Sequence, residues 1–591
     1  MSNLIEEYGL IGDGETAALV HRDGSVDWLC LPRFDSDACF AALLGTAENG
    51  RWKLAPVEPA RASRRYLQDT LVLETDFEAD TGAVRLTDFM PIRNKKNPAL
   101  IRIVQGLRGR VSVCSEMRLR LDYGSVQPWL EVQGARALAK VGPDLAVLYA
   151  PADLRCAGSV VVCDLEVSER DKFAFTLIYG SSVEPEPPPI DAEKALSEVQ
   201  EYWREWISRF GKHTEWPAAV RRSLITLKAM IHRPTGGVIA APTTSLPERS
   251  GNDFNWDYRY CWIRDASFTL MALIDAGYAS EAKEWRDWLL RAVAGAPEKM
   301  RIVYRVDGSR RLEEWTATWL PGYRWTNPVR IGNSAASQRQ LDIFGELMAC
   351  IYIAAKAGIQ RSEQEERLID GIVQHIQAVW RLPDHGLWEL RGNPRHYVYS
   401  KVSAWVAIDR YVRHREDDGS HDDTRLRRMR KLRHEMHDEI CREGYDRGLG
   451  TFVEYYGAES LDASLLLLPL VGFLPIEDDR ISHTIDAIER ELAVDGLIHR
   501  RHPLHQLQQG AFLACNCWLA ECRMMQGRRE AARKVFERVL AVANGLGLLA
   551  EEYDVRAKRL AGNFPQALSH VALVRTALRF SAPITERGEG Q

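Results

Sequence analysis

The hydrophobic pattern changes period once along this chain, and the change falls at a proline-rich run, Val183-Glu-Pro-Glu-Pro-Pro-Pro-Ile190. Before the run, apolar residues alternate. After it, they recur every three or four residues. A period of two belongs to half-buried strands and a period near 3.6 to amphipathic helices, so the chain is mainly α with an all-β N-terminal domain. In the first part, Thr70-Leu-Val-Leu-Glu-Thr-Asp-Phe77 and Ala83-Val-Arg-Leu-Thr-Asp-Phe89 flank the turn Ala79-Asp-Thr-Gly82, which predicts a hairpin. Val111–Leu121 alternates, and Ile101–Leu107, Leu145–Ala150, Ser159–Val167 and Lys172–Tyr179 are further strand candidates. Many strands joined by short turns predict a β-sandwich.

Asp191 is placed to cap a helix running to about Phe210. Beyond it the spacing predicts twelve helical segments, beginning near 216, 266, 280, 335, 361, 397, 423, 461, 482, 506, 528 and 565. Twelve helices in one unit suit a double ring of six inner and six outer helices; the number alone does not separate that toroid from a bundle array. The expected division is a β-sandwich over 1–182, a proline-rich linker and linker helix over 183–214, the helical domain over 215–582 and a tail over 583–591.

Composition narrows the function classes. A net charge of -5 on 591 residues gives no basic bias toward nucleic acid or a membrane surface. Met1-Ser-Asn-Leu-Ile-Glu-Glu-Tyr lacks a signal-peptide pattern, and the most apolar stretch, Leu465–Leu474, is interrupted by Pro469 and too short to span a bilayer. Eleven cysteines without regular spacing, with Cys515, Cys517 and Cys522 on an apolar helical pattern, predict a reduced cytoplasmic protein rather than a disulfide frame. His434-Glu-Met-His437 has the wrong spacing for a helical zinc motif, and the basic run Arg425–Arg433 follows acidic residues that compensate it. No P-loop or dinucleotide fingerprint occurs. No metal or cofactor is expected.

Loops at 233–262, 302–334, 382–396 and 545–564 interrupt the helices, and long loops in a compact domain are where function concentrates. The first carries Asn255-Trp-Asp-Tyr-Arg-Tyr-Cys-Trp-Ile-Arg-Asp265, with four aromatics interleaved with charges. The stretch suits a helix start, with Asp265 as its cap and Arg264 in a salt bridge, and equally a pyranose site. Gly386-Leu-Trp-Glu389 and Leu549-Ala-Glu-Glu-Tyr-Asp554 each set a carboxylate beside an aromatic. Two carboxylates flanking a bond are the minimal kit for glycoside cleavage. With 82 acidic residues, such local patterns also arise with no catalytic meaning.

Trp256–Asp265, Leu387-Trp-Glu389 and Glu551-Glu-Tyr-Asp554 together resemble glycoside hydrolase family 15, which holds glucoamylases, glucodextranases and bacterial trehalases. The resemblance extends through Pro242-Thr-Thr-Ser-Leu-Pro-Glu248, Pro328–Asn333, Tyr399-Ser-Lys-Val402 and Gly562-Asn-Phe-Pro-Gln566. At the N-terminus it takes in Tyr8–Gly12 and Gly24–Asp35. It implies a β-sandwich followed by an (α/α)6 toroid and an inverting mechanism. By position, Glu389 matches the general acid and Glu551 the general base, although Glu552 beside it permits a one-residue error. Arg264 and Asp265 match residues that bind hydroxyls of the non-reducing glucose, Trp262 and Trp388 its walls, and Tyr258 a tyrosine near the base and its water. Trp325 and Arg330 are expected at the entrance. Trp388 is the apolar neighbour expected to keep Glu389 protonated. The implied ligand is a small α-glucoside, with trehalose first and maltooligosaccharides second. A disaccharide phosphorylase and a non-catalytic sugar-binding protein are the rival classes.

Overall fold

A computed structural model describes residues 3–94, 96–249, 251, 253–293, 299–419, 424–502 and 510–581. Fifteen strands between Tyr8 and Ser181 pair antiparallel in two sheets. The sheets share one strand, Ala99–Arg118. Its first half pairs with Gly82–Phe89 and Lys172–Ser181, and its second half with Arg51–Pro56 and Val160–Ser168. The two strands expected over Ile101–Leu107 and Val111–Leu121 are therefore one. Gly106 and Gly109 sit at the changeover, where a Cβ on Gly106 would meet the carbonyl oxygen of Ser168 at 1.9 Å. A strand that switches sheets needs such a bare backbone at the bend. The sheets face each other through Trp52 and Phe175, whose rings meet edge-on at 6.4 Å. Buried Arg102 ties Asp88 at 2.7 Å to the carbonyl of Trp52 at 2.8 Å. The expected hairpin is present, with Ala79 opposite Gly82.

Helix α1 (Ala192–Ser208) begins at Asp191, whose carboxylate accepts the backbone N–H groups of Glu193 and Lys194. Twelve helices follow among the described residues: α2 (Pro217–Ala229), α3 (Ile263–Asp275), α4 (Ala279–Val293), α5 (Asp342–Lys356), α6 (Glu363–Val379) and α7 (Val398–Asp417), then α8 (Thr424–Glu443), α9 (Leu467–Leu470), α10 (Asp479–Leu492), α11 (Leu513–Met525), α12 (Arg529–Ala541) and α13 (Ala567–Ser581). The odd-numbered ones from α3 to α13 are largely buried, and each packs on the next, with α9 extended by the turn Ala463–Leu466 and α13 returning to α3. The even-numbered ones bury one stripe and cover this ring from outside, as the amphipathic α6 and α10 show. This is the (α/α)6 toroid. The segment expected near 335 is a 3-10 turn, Ser334–Ser337, with α5 starting at Asp342. The starts expected near 423 and 506, and the 583–591 tail, lie outside the described residues.

The β part braces three of the four loops. Trp28 donates its indole N–H to the carbonyl of Pro242 at 2.7 Å, Asp35 pairs with Arg305 at 2.9 Å, and Glu6 pairs with Arg559 at 2.9 Å. Elsewhere, Arg425, Arg430 and Arg433 of the basic run pair with Asp370, Glu416 and Asp409. His437 packs on Trp405 and Phe473. Cys515, Cys517 and Cys522 are buried on α11. Among the described residues, no helix is long and apolar enough to cross a membrane.

Candidate active site

A cavity of about 250 Å³ opens at the loop end of the ring. Phe268, Trp518 and Leu568 form its floor, and they also line a smaller cavity of about 70 Å³ further along the axis. Extended backbone after Asn255 sorts its side chains by alternation. Trp256, Tyr258 and Trp262 face the cavity. Asp257 and Arg259 lie on the other side, paired at 2.6 Å and fully buried, with Arg259 donating to the hydroxyl of Tyr123 in the β part at 2.8 Å. The interleaving therefore sorts by face: aromatics line the cavity and charges anchor the loop.

Glu389 lines the cavity in the left-handed region, at φ 55°. A non-glycine residue held there stores strain, which clusters at functional positions. Its Oε1 accepts the indole N–H of Trp262 at 2.7 Å and lies 3.4 Å from Arg264. Burial pushes its carboxyl above the usual range; Arg264 opposes this and Asp265 adds to it. The tryptophan against Glu389 is thus Trp262. Trp388 directs its N–H to Asp462 at 2.7 Å and packs on Phe512 and Trp518, while still lining the cavity.

Glu551 and Glu552 point to different partners. Glu551 lines the cavity, accepts the hydroxyl of Tyr258 at 2.7 Å and lies within 3.4 Å of the N–H of Asn563. Gly562, at φ 74°, leaves room for it: a Cβ there would sit 2.6 Å from Oε2 of Glu551. Glu552 turns away, accepting the N–H of Gly510 at 2.7 Å and pairing with Arg500 at 2.7 Å. Arg500 also binds Glu248, which lines the cavity with it. Burial, together with the charge of Glu248, pushes Glu551 up to about 8 against the pull of Arg500. Glu552 is raised as well, by burial first. Three carboxyls around one guanidinium keep a proton into the neutral range.

Arg264 and Asp265 line the deep end of the cavity. Arg264 donates to the carbonyl of Leu387 at 2.9 Å and to Asp265 at 3.1 Å. Asp265 does not cap α3; Trp262 occupies the cap position and Asp265 is the third helical residue. Arg330 lines the outer end, 4.5 Å from the centre of the Trp256 ring. Trp325 is not brought to the wall: it is 73% exposed on the turn Tyr323–Trp325. Glu248, Phe254, Trp256, Arg391, Arg500 and Gln566 line the cavity without having been singled out from sequence. Glu248 ends the Pro242–Glu248 motif, which offered a signal; Arg500 sits in a run of His and Arg that offered none.

The model for glycosyl hydrolases family 15 matches residues 217–578, and the one for the trehalase-like N-terminal region matches residues 1–155. A trehalase of Thermoplasma volcanium is 32% identical, covering 99% of this chain and 94% of that protein. A trehalase of Mycobacterium tuberculosis is 35% identical, over 97% of this chain and 89% of its own. A bacterial glucoamylase solved with acarbose superposes with a TM-score of 0.72 over 98% of this chain and 95% of its own, at 12% identity, a likeness of fold.

Proposed function

Because the chain belongs to glycoside hydrolase family 15, we propose that it hydrolyses α-glucosides from the non-reducing end with inversion, and that its substrate is α,α-trehalose. The observation that carries this is the placement of two carboxyls, half-buried Glu389 and buried Glu551, on one floored cavity, each held by an aromatic donor from the same loop. A floored cavity takes a chain end and not a chain middle.

Glu389 serves as the acid. Trp262 and Arg264 both address Oε1, which assigns to Oε2 the proton retained by burial and passed to the glycosidic oxygen. Glu551 serves as the base. With the shared proton on Glu552, which faces away from the cavity, Glu551 is the anion and Tyr258 orients it toward water. Tyr258 and Trp262, whose rings are 5.4 Å apart centre to centre, each hold one of the two carboxyls, and an inverting pair needs a gap between them wide enough for water. Arg264 and Asp265 grip the hydroxyls of the glucose at the deep end, against Trp262 and Trp388, and Arg330 serves the outer end. We keep Trp325 out of the sugar site. All eleven cysteines are free, which supports a reducing, cytoplasmic setting.

Trehalose is favoured over maltooligosaccharides because the full-length relatives at 32% and 35% identity are trehalases. Retention of Glu551 argues against a phosphorylase, in which phosphate replaces the water and its base. The test is glucose release from trehalose, maltose, isomaltose and soluble starch in parallel, with trehalose fastest. Release from maltose and starch with trehalose untouched would move the assignment to a glucoamylase type. With maltose, proton NMR in the first minutes should show β-glucose from the non-reducing unit, since water attacks opposite the departing oxygen.

A further inference from the structure

One carboxylate ties together two loops that meet at the outer end of the cavity. Glu314, from the loop over 302–334, receives both terminal nitrogens of Arg391 at 3.0 and 2.5 Å, lies 3.6 Å from Arg330 and accepts the backbone N–H of Ser334 at 3.1 Å. Arg391 comes from the loop over 382–396, two residues past Glu389. Both guanidiniums rest against Trp256, 3.9 Å from the ring centre for Arg391 and 4.5 Å for Arg330. Trp256, Arg330 and Arg391 line the cavity, whereas Glu314 stands behind them.

This cluster lies at the opposite end from the glucose grip. The Arg391 side chain is 39% exposed, against 12% for Arg264 and 5% for Asp265 at the deep end. Two like charges share one indole, and burial first, then Arg391, weakens the hold of Arg330 on its proton. Glu314 pairs with them both. Its carboxyl lies below the usual range although burial opposes this, because Arg391, the Ser334 N–H and Arg330 all favour the anion. Without that charge the guanidiniums repel, and Arg391, on the solvent side, is free to swing out.

We propose that the Glu314–Arg391–Arg330 clasp over Trp256 sets the outer limit of the acceptor site and confines the enzyme to substrates with one sugar beyond the scissile bond. The proposal rests on the hydrolase reading above. A disaccharide ends at the clasp. A trisaccharide bound with its non-reducing unit at Arg264 and Asp265 must place its third ring where Arg391 covers Trp256.

Competition tests this without requiring that the longer sugar be cleaved. Maltose and maltotriose are titrated against glucose release from trehalose by the wild type, Glu314→Ala and Glu314→Asp, each checked by thermal melting. The wild type should bind maltotriose at least ~10-fold more weakly than maltose. Glu314→Ala should bring the two inhibition constants within about twofold, and Glu314→Asp, which keeps the charge, should retain most of the wild-type gap. If Glu314→Ala fails to fold, Arg391→Ala removes the same tie from its other side and should close the gap likewise. A wild type that binds both sugars equally, or a gap that survives in the folded variant, overturns the clasp. A wild type that releases no glucose from trehalose or from maltose overturns the hydrolase reading instead, and the clasp with it.

Discussion

Tyr258 and Glu551 are joined by a 2.7 Å hydrogen bond in which the phenol donates to the carboxylate, linking the loop over 233–262 to that over 545–564. Glu552, one residue on, is fully buried and turned to Arg500 and the Gly510 N–H. The doublet thus splits into a cavity-facing and a structural member. Glu551→Gln should lower kcat by at least ~10²-fold with little change in melting temperature. Glu552→Gln, which puts a neutral amide where the protonated carboxyl stood beside Arg500, should change kcat far less. Steady-state kinetics and melting on both variants decide it. A folded Glu551→Gln enzyme with near-wild-type turnover gives the base role to Glu552 or discards it.

Asp265 is 3% exposed, lines the deep end and is paired with Arg264 at 3.1 Å. As it is not the helix cap, replacing it should not unravel α3. Asp265→Asn keeps the size and removes the charge that would accept sugar hydroxyls, so kcat/KM should fall by the equivalent of about 2–5 kcal/mol while the melting temperature stays near that of the wild type. An early-melting variant with normal catalysis per folded molecule would show Asp265 to be a structural partner of Arg264, and the glucose grip would be misplaced.

Sequence periodicity reached the architecture because period is a local property. The hairpin at Ala79–Gly82, the cap at Asp191 and most helices of the ring announce themselves within a few residues, although α5 begins at Asp342 and not near 335. Where a feature spans a break in the pattern, it was misread: Gly106 and Gly109 interrupt the alternation of Ala99–Arg118, so one strand read as two. The site shows the same limit. The motif around Trp256–Asp265 carries its own signal, but the Glu248–Arg500–Glu552 cluster joins three separate loops, and nothing near Arg500 distinguishes it from the arginine that follows. Trp325 looked like its aromatic neighbours in composition, yet the turn over Tyr323–Trp325 leaves it in solvent.

His570 on α13 predicts the acid stability. It is fully buried, with Nδ1 2.9 Å from the hydroxyl of Ser223, and Nε2 accepts the N–H of Leu549, two residues before Glu551. A ring nitrogen that accepts an amide is unprotonated, and burial with nearby Arg222 pushes this histidine down to about 3. The unfolded chain binds a proton near 6.5 that the folded one refuses, so this stability is present above about pH 6.5 and is lost as the pH falls toward 3. Buried His232 and His499, pushed down to about 3 and about 4, act in the same direction. Each such proton steepens the loss by about 1.4 kcal/mol per pH unit. In urea unfolding between pH 4 and 7, His570→Gln should start less stable and fall less steeply than the wild type. Parallel curves would mean that His570 is protonated in the fold.

Glu248 makes the base harder to ionise. Its carboxylate and that of Glu551 flank Arg500, and its charge is, after burial itself, the main influence holding Glu551 up near 8. The other groups facing Glu551 are Glu552, Arg500, the Tyr258 hydroxyl and the Asn563 N–H. Neutralising a negative neighbour favours the anion, so Glu248→Gln should let Glu551 ionise at lower pH. Catalysis needs Glu551 ionised, and its ionisation governs the acidic limb of kcat/KM. That limb should therefore move to lower pH, by about one unit, in a profile from pH 4 to 9 on trehalose. Arg500→Gln removes the opposing cation and should move the limb upward. The alkaline limb, set by the proton on Glu389, should stay in place in Glu248→Gln, because that acid answers to Arg264 and Asp265. An acidic limb that ignores the Glu248 charge would mean that the base is not in this cluster.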